Sequence, residues 1–287
     1  MKQFDLQAML RGFNRHHKAE SKLTNQIAEG LIERCQMIKQ QPQTIVDLGC
    51  GTGEASYRLS KIYPKAKVTG IDIAEQRLKA ARKKRPWFNK TIFIEANIQS
   101  LPLADNSVDL IFSNLCLYWV EDLNQAFKEI QRVLKTDGIL LFSSLGPDTL
   151  QELRHSFAEV DDKPHVNIFL DMHEIGDAMQ KAGLKDPVMD VDYIKQSHPS
   201  LQSLAKLLKT SGESNYHSDR ALNLMGKQKW QKAKEHYETY RNSFGKLPAT
   251  YEVVYGYALG SANFAQLNNQ GEVCIPISQI GRKAQLI

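Results

Sequence analysis

Five short runs of β-branched and apolar residues, with helical patterns between them, constrain this chain more than any other feature. TIVDLG (44–49), KVTGIDI (67–73), TIFIEAN (91–97), SVDLIFSN (107–114) and GILLFSS (138–144) each read as a buried strand. Helical patterns occupy 53–63, 75–85 and 122–134, with Pro64 and Pro86 closing the first two. Such alternation predicts parallel strands joined by crossover helices that cover both faces of a sheet. Upstream, the first 40 residues read as helix, with Ile27, Leu31, Ile32, Cys35 and Ile38 on one face and Pro42 as the stop. Downstream the rhythm changes. Helix is expected over 147–157 and 171–184, a loop or extended piece at HVNIFL, and mostly helix over 199–241 with a break at SGESNYH. Strand-like runs at 186–196 and 249–258 bring the count to seven, and EVCIPISQI near the end reads as extended. The expected fold is α/β: one domain over 1–287 with a doubly wound, mostly parallel seven-stranded sheet. Its core would span about 40–146 plus the strands near 186–196 and 249–258. A helical cap would be built from about 1–25, 148–170 and 197–245.

Composition narrows the function classes. A chain of 287 residues with 42% hydrophobic and 24% charged residues buries a full core without cross-links. No apolar run approaches the roughly 20 residues of a membrane span, and MKQFDLQAML has no signal-peptide core. A cytoplasmic location and no membrane contact are therefore predicted. Cys35, Cys50, Cys116 and Cys274 are scattered without zinc or redox spacing, so packing is their expected role and no metal is predicted. The net charge is only +5, with basic clusters at KAARKKR (79–85) and KQKWQKAK (227–234). Aromatics are not interleaved with these cations as stacking platforms, which argues against nucleic acid. Each cluster suits either a solvated helix face or a dock for an acidic partner.

VDLGCGTGE (46–54) follows a strand and opens a helix. Gly49, Gly51 and Gly53 permit left-handed backbone and close approach of a ligand, beside a helix N-terminus with unpaired N–H groups. Asp72 ends the next strand about 20 residues later, where a ribose diol needs an acceptor. The spacing is G-x-G-x-G, unlike a dinucleotide fingerprint, and Asp47 lies just upstream. A carboxylate there repels a pyrophosphate but suits an ammonium or a sulfonium, and S-adenosyl-L-methionine carries both. D-L-G-C-G-T-G, Asp72, N-I-Q-S-L-P-L-A-D (97–105) and S-V-D-L-I-F-S-N together resemble the class I S-adenosylmethionine-dependent methyltransferases over 44–145. The resemblance implies a Rossmann-like fold and a cofactor site. The glycine turn would pass the methionine moiety, and Asp72, with Ile73 beside it, would hold the ribose. Asn97 and Ile98 would flank the adenine, while Asn114 and Leu115 would lie near the reacting end. The family usually has Asp at the adenine position. Asn97 still offers an acceptor oxygen.

Further motifs resemble the malonyl-[acyl-carrier protein] O-methyltransferase family of biotin synthesis. They are S-N-L-C-L-Y-W (113–119), G-P-D-T-L-Q-E-L-R (146–154), P-H-V-N-I-F-L-D-M-H-E-I-G-D (164–177), L-P-A-T-Y-E-V-V-Y-G (247–256) and I-P-I-S-Q-I-G. The resemblance implies a malonyl group on acyl carrier protein as acceptor. A carboxylate of pKa about 4 is already ionised, so transfer needs alignment and exclusion of water rather than a general base. Arg154, on a helix leaving the carboxyl end of the fifth strand, is the candidate carboxylate clamp. Its alternative is a surface residue paired with Glu152 or Asp148. Tyr118 and His165 are candidate acceptor-site residues, His173 a further candidate for the same cleft, and Trp119 is a wall of the methyl-transfer site or, the favoured expectation, a core residue. The carrier protein is acidic, which gives the basic clusters a partner. Members of this family usually carry a tyrosine after an F-D-R-like motif. Here Phe13-Asn14-Arg15 leads into His16, His17, Lys18, Ala19 and Glu20 without one, and His17 is the stand-in to consider. S-G-E-S-N (211–215) and R-x-x-L (220–224) are shared with a sister group, the arginine-hydroxylating assembly factors of respiratory complex I. That group, a non-methylating cofactor-binding assembly protein, and a small-molecule methyltransferase are the competing readings.

Overall fold

The computed structural model describes residues 4–15 and 21–262. Two helices, α1 (Leu6–Arg15) and α2 (Lys22–Gln36), stand where one helical stretch was expected. Ser21 starts the second: its hydroxyl accepts the Thr24 N–H at 3.0 Å, satisfying a helix-end donor. The alternating region follows as β1 (Thr44–Leu48), α3 (Glu54–Ile62), β2 (Lys67–Asp72), α4 (Glu75–Lys84), β3 (Ile92–Glu95) and β4 (Val108–Asn114). A single 3-10 turn (Leu117–Trp119), α5 (Leu123–Val133) and β5 (Leu134–Leu145) complete it. The remainder is α6 (Gln151–Ala158), α7 (Met172–Lys181), β6 (Lys185–His198), α8 (Leu201–Ser211), α9 (Lys227–Glu238) and β7 (Leu247–Leu259).

The strands form one sheet in the order β3-β2-β1-β4-β5-β7-β6. β1 to β5 pair in parallel, and β7 runs antiparallel between β5 and β6. The expected α/β, doubly wound, mostly parallel seven-stranded sheet is the observed one. Alternate strand residues feed two cores, as the period of two requires. Ile45, Leu110, Ile139 and Val253 pack with Leu31 of α2, Leu153 of α6, Leu204 of α8 and Tyr237 of α9. Val46, Ile111, Leu140 and Phe142 pack with Phe127 of α5 and Met179 of α7.

The chain leaves β5 differently from expectation. Helix α6 opens at Gln151 rather than Pro147, because β7 holds the intervening residues. The Gly146 N–H donates to the Glu252 carbonyl at 2.9 Å and the Asp148 N–H to the Glu252 carboxylate at 2.7 Å. Leu150, at φ 55°, donates its N–H to the Thr250 carbonyl. The Thr250 hydroxyl donates back to the buried Glu152 carboxylate at 2.5 Å, and the Thr250 N–H donates at 3.1 Å. Both buried carboxylates are thereby hydrogen-bonded, the condition for tolerating them.

The expected break between α8 and α9 also has a physical cause. Gly212 ends α8 at φ 81°, and the following residues dock onto the N-terminal segment. Phe4 bridges His217, the Asp5 N–H donates to the Tyr216 carbonyl, and Arg220 pairs with Asp5 at 2.8 Å. Cys35, Cys50 and Cys116 are free thiols. Cys274, EVCIPISQI and the I-P-I-S-Q-I-G motif lie outside the described residues. Among the described residues, no helix is long and apolar enough to cross a membrane.

Candidate active site

A cavity of about 170 Å³ lies at the carboxyl ends of β1, β2 and β4. That is where the strand order reverses, the usual ligand crevice of an open α/β sheet. Asp47, Gly49, Gly51, Asp72, Ile73, Asn97, Ile98, Asn114 and Leu115 all line it. Gly53 does not. It starts α3 at φ 80°, and a Cβ there would lie 2.8 Å from the Phe93 ring, so its role is packing. Gly49, at φ 72°, takes a conformation that costs other residues energy. A Cβ on it would lie 2.4 Å from the Cys116 side chain.

The acidic residues are held in place by the turn itself. Asp47 is 1% exposed and accepts the Ser56 hydroxyl at 2.5 Å. Asp72 accepts the Gly51 N–H at 2.9 Å on one oxygen and the Ala74 N–H at 2.8 Å on the other. Each carboxylate oxygen keeps a further lone pair for a ligand hydroxyl. The Asn97 side-chain oxygen accepts the Gln99 N–H at 2.9 Å, which leaves it one acceptor position. Asn114 is anchored on both sides, accepting the Ser143 hydroxyl at 2.8 Å and donating to the Thr24 carbonyl at 3.2 Å. Leu115 takes φ 54° beside it. Burial pushes the Cys116 thiol up to about 12, and the carboxylates of Asp72 and Asp47 push the same way. It is an inert wall residue.

Sequence reasoning assigned about 1–25 to a cap but picked out no cavity-lining residue there. Phe4, Leu6, Met9 and Phe13 line the cavity from the N-terminal segment, and the guanidinium of Arg77 lies 4.3 Å from the Phe13 ring centroid. The amphipathic pattern of α1 was the available signal, with Met9 and Phe13 buried on one side. Trp119 packs against Phe4, Phe13, Tyr118 and Tyr216, with centroids 5.6, 5.2, 4.6 and 5.7 Å away. It is a cluster residue and a wall residue together.

A second cavity, of about 260 Å³, adjoins the first. Tyr118, Trp119 and Glu213 line both, and so form the partition between them. Its other walls come from α6 (Leu153, Phe157), α8 (Leu208, Lys209), α9 (Trp230) and β7 (Tyr251). Burial raises the Tyr118 hydroxyl pKa well above its ordinary value, and Glu213 adds to this. Glu213 is partly exposed, but toward the cavities it lines. Desolvation accordingly raises its carboxyl pKa, against a 3.4 Å hydrogen bond from Ser21 that favours the charge.

Arg154 lines neither cavity, contrary to its expected aim over the donor pocket. It is half-buried and donates to the Thr149 carbonyl at 2.8 Å. Thr149 itself lines the second cavity. The expected alternative, pairing with Glu152 or Asp148, is not observed. Glu152 is committed to Thr250, and Asp148 accepts the Tyr193 hydroxyl at 3.1 Å. Among the described residues no carboxylate oxygen lies within 4 Å of the Arg154 guanidinium, and burial lowers its pKa. His165 does line the second cavity, stacked 4.4 Å from Phe157 and 2.7 Å from Asp161. His173 is elsewhere: its side chain is 80% exposed and bonds the Asp171 cap of α7 at 2.6 Å. The position expected for the family's tyrosine, with its stand-in His17, lies outside the described residues.

Comparison with known proteins is consistent with this geometry. A family profile described as "Methyltransferase domain" matches residues 46–142. A malonyl-[acyl-carrier protein] O-methyltransferase of Gallionella capsiferriformans is 40% identical, over 96% of this chain and 97% of its own. One from Legionella pneumophila is 37% identical over 96% and 97% of the two chains. Malonyl-[acyl-carrier protein] O-methyltransferase 1 of Coxiella burnetii is 43% identical over 90% and 88%. Among solved structures, the YcgJ protein of Bacillus subtilis superposes with TM-score 0.60 at 16% identity, covering 82% of this chain and 99% of that one. A putative methyltransferase of Bacillus halodurans gives 0.58 at 13% identity, covering 82% and 100%. These two similarities concern the fold.

Proposed function

The chain belongs to the malonyl-[acyl-carrier protein] O-methyltransferase family, and from that premise we infer that it methylates the free carboxylate of a malonyl group borne on acyl carrier protein, early in making the pimeloyl part of biotin. The methyl donor is S-adenosyl-L-methionine, which supplies an electrophilic methyl group on a sulfonium. One observation carries the two-substrate reading: two cavities of different lining meet at Tyr118, Trp119 and Glu213. The first has the residues a nucleoside with an amino-acid tail requires. Asp72 offers fixed lone pairs to a diol, the backbone around Gly49 and Gly51 allows close approach, and Asp47 provides a negative wall. The second cavity, mostly apolar, takes the acceptor.

The residues at the partition align the two reactants and exclude water, and no proton has to move. The acceptor oxygen is already anionic, and the opposite charges of the reactants cancel as the new bond forms. A desolvated partition favours that less charged transition state. Arg154 is the proposed orienting cation. Among the described residues its guanidinium has no carboxylate within 4 Å, and it donates to the carbonyl of Thr149, a residue that lines the acceptor cavity. A moderate grip serves best, because a tight one stabilises the charged ground state more than the transition state. Tyr118 and His165 are proposed as walls of the acceptor site. The proposed division is a cofactor core at about 40–146 with the strands near 186–196 and 249–258, and a cap from 1–25, 148–170 and 197–245. A cytoplasmic setting and docking of the acidic carrier protein complete the proposal. The hydroxylase, non-methylating and small-molecule readings have no comparable support, since relatives 37–43% identical over most of the chain are named for the carrier-protein reaction. The test is to incubate the protein with S-adenosyl-L-methionine and malonyl-carrier protein. The carrier gains the mass of one methyl group; cofactor binding without that gain refutes the assignment.

A further inference from the structure

Tyr251 lies in β7, is 2% exposed, and lines the second cavity. Its neighbours on the strand have assigned polar partners: Thr250 donates to Glu152, and Glu252 accepts from Asp148. Tyr237, the other large phenol buried in this region, donates its hydroxyl to the Pro248 carbonyl at 2.5 Å. The Tyr251 hydroxyl has no hydrogen-bond partner among the described residues. Among the described residues the solvent-excluded side-chain atoms without a partner are Thr91 Oγ1 and His198 Nε2, so the Tyr251 hydroxyl is instead reachable from the cavity it lines. An uncommitted donor open to a cavity suits an acceptor group on a ligand that enters it. Burial, then the carboxyl of Glu213, Tyr237 and the carboxyl of Glu152, keep the phenol protonated well beyond its ordinary range. It is a donor across the working pH range.

We propose that the Tyr251 hydroxyl donates a hydrogen bond to the acceptor's free carboxylate and turns it toward the partition formed by Tyr118, Trp119 and Glu213. This rests on the second cavity being the acceptor chamber. One carboxylate oxygen takes the phenol proton as a hydrogen bond. The other forms the new C–O bond as the methyl–sulfur bond breaks, the two charges cancel, and no proton is transferred. The hydrogen bond weakens as the carboxylate becomes an ester, so it contributes more to acceptor binding than to the rate of the bound complex. It also selects a free acid over its ester.

Tyr251→Phe removes the hydroxyl and keeps the ring. The KM for malonyl-carrier protein is expected to rise about 10-fold or more, with kcat within about 3-fold. Affinity for S-adenosyl-L-methionine, measured by calorimetry, stays at the wild-type value. An unchanged KM overturns the proposal, as does an equal loss of cofactor affinity. A binding arm separates this inference from the assigned reaction. With S-adenosylhomocysteine bound, wild type is expected to prefer malonyl-carrier protein over its methyl ester, and Tyr251→Phe to lose that preference. Equal preference in the two proteins overturns it. Absence of methyl transfer by wild type, with the binding preference intact, refutes the reaction and spares the site.

Discussion

At Glu213 a carboxyl group is held in a wall between two cavities, and burial raises its affinity for a proton. The groups around it are Arg77 from α4, Ser21 before α2, Ser211 and Lys209 from α8, Tyr118 from the 3-10 turn and Tyr251 from β7. Asp47 and Asp72 line the first cavity with it. Neutral, it leaves an anionic acceptor undisturbed; ionised, it repels the acceptor. The shift is upward for an acid. The neutral form's contribution to stability is thus complete below the ordinary glutamate value and is lost as pH rises through the folded-state value. Transfer is expected to fall on the alkaline side of that ionisation, and Glu213→Gln to abolish this limb while lowering kcat/KM a few-fold, about 2–10. A pH profile of both proteins checks it, and an identical limb in each refutes the assignment. Arg154→Ala is expected to raise the acceptor KM by about 10-fold or more, as loss of a charged hydrogen bond does. Cofactor affinity stays unchanged in calorimetry.

The α6–β7 junction determines where the second cavity, the proposed acceptor chamber, sits. After β5, Gly146, Asp148 and Thr149 are held on β7 by the backbone and carboxylate of Glu252 and Leu150 by the Thr250 carbonyl, and α6 is secured through Glu152 to Thr250. This latch delays the helix and places Thr149, Leu150, Leu153 and Phe157 in the cavity wall. Thr250→Val keeps the shape but strips the hydroxyl from a buried carboxylate. It is expected to destabilise the fold by about 1–3 kcal/mol, read as a lower denaturant midpoint with an unchanged m-value. At the other end, α1 roofs the first cavity and is tied down by the Asp5–Arg220 pair just before it.

Across the whole molecule, the charge is a mild +5 with local concentrations. The cluster on α4 is partly neutralised at home, Lys79 and Arg82 both pairing with Glu75. On α9, Lys229 pairs with Asp161 at 2.7 Å, while Lys227 and Lys232 are exposed with no carboxylate within 4 Å among the described residues. This second cluster is next to the second cavity, the proposed acceptor chamber, since Trp230 lines it. Reversing charge at Lys227, Lys229 and Lys232 together is expected to raise the carrier-protein KM by about 10-fold at low ionic strength. The gap should narrow as salt rises, because exposed charge interactions are screened. A steady-state titration at several salt concentrations measures both; an unchanged KM removes the surface from consideration.

Periodicity and spacing were sufficient for the sheet, its helices, the glycine turn and the acidic ends of β1 and β2. These are local or nearest-neighbour properties: strand period, helix stops, and glycine where the backbone turns left-handed. Asp72 was legible because its distance from the turn is a constraint along the chain. Tyr118 was legible as an acceptor-site candidate, but Glu213 and Tyr251 were not. The three are far apart in sequence and meet only once α8 and β7 close against the 3-10 turn. Nor was the delayed start of α6, since side chains of β7, about 100 residues later, override the helical pattern after Pro147. Local sequence determined what the chain builds. Long-range burial decided which polar groups are left facing a cavity, because satisfying or stranding a buried donor depends on every element packed around it.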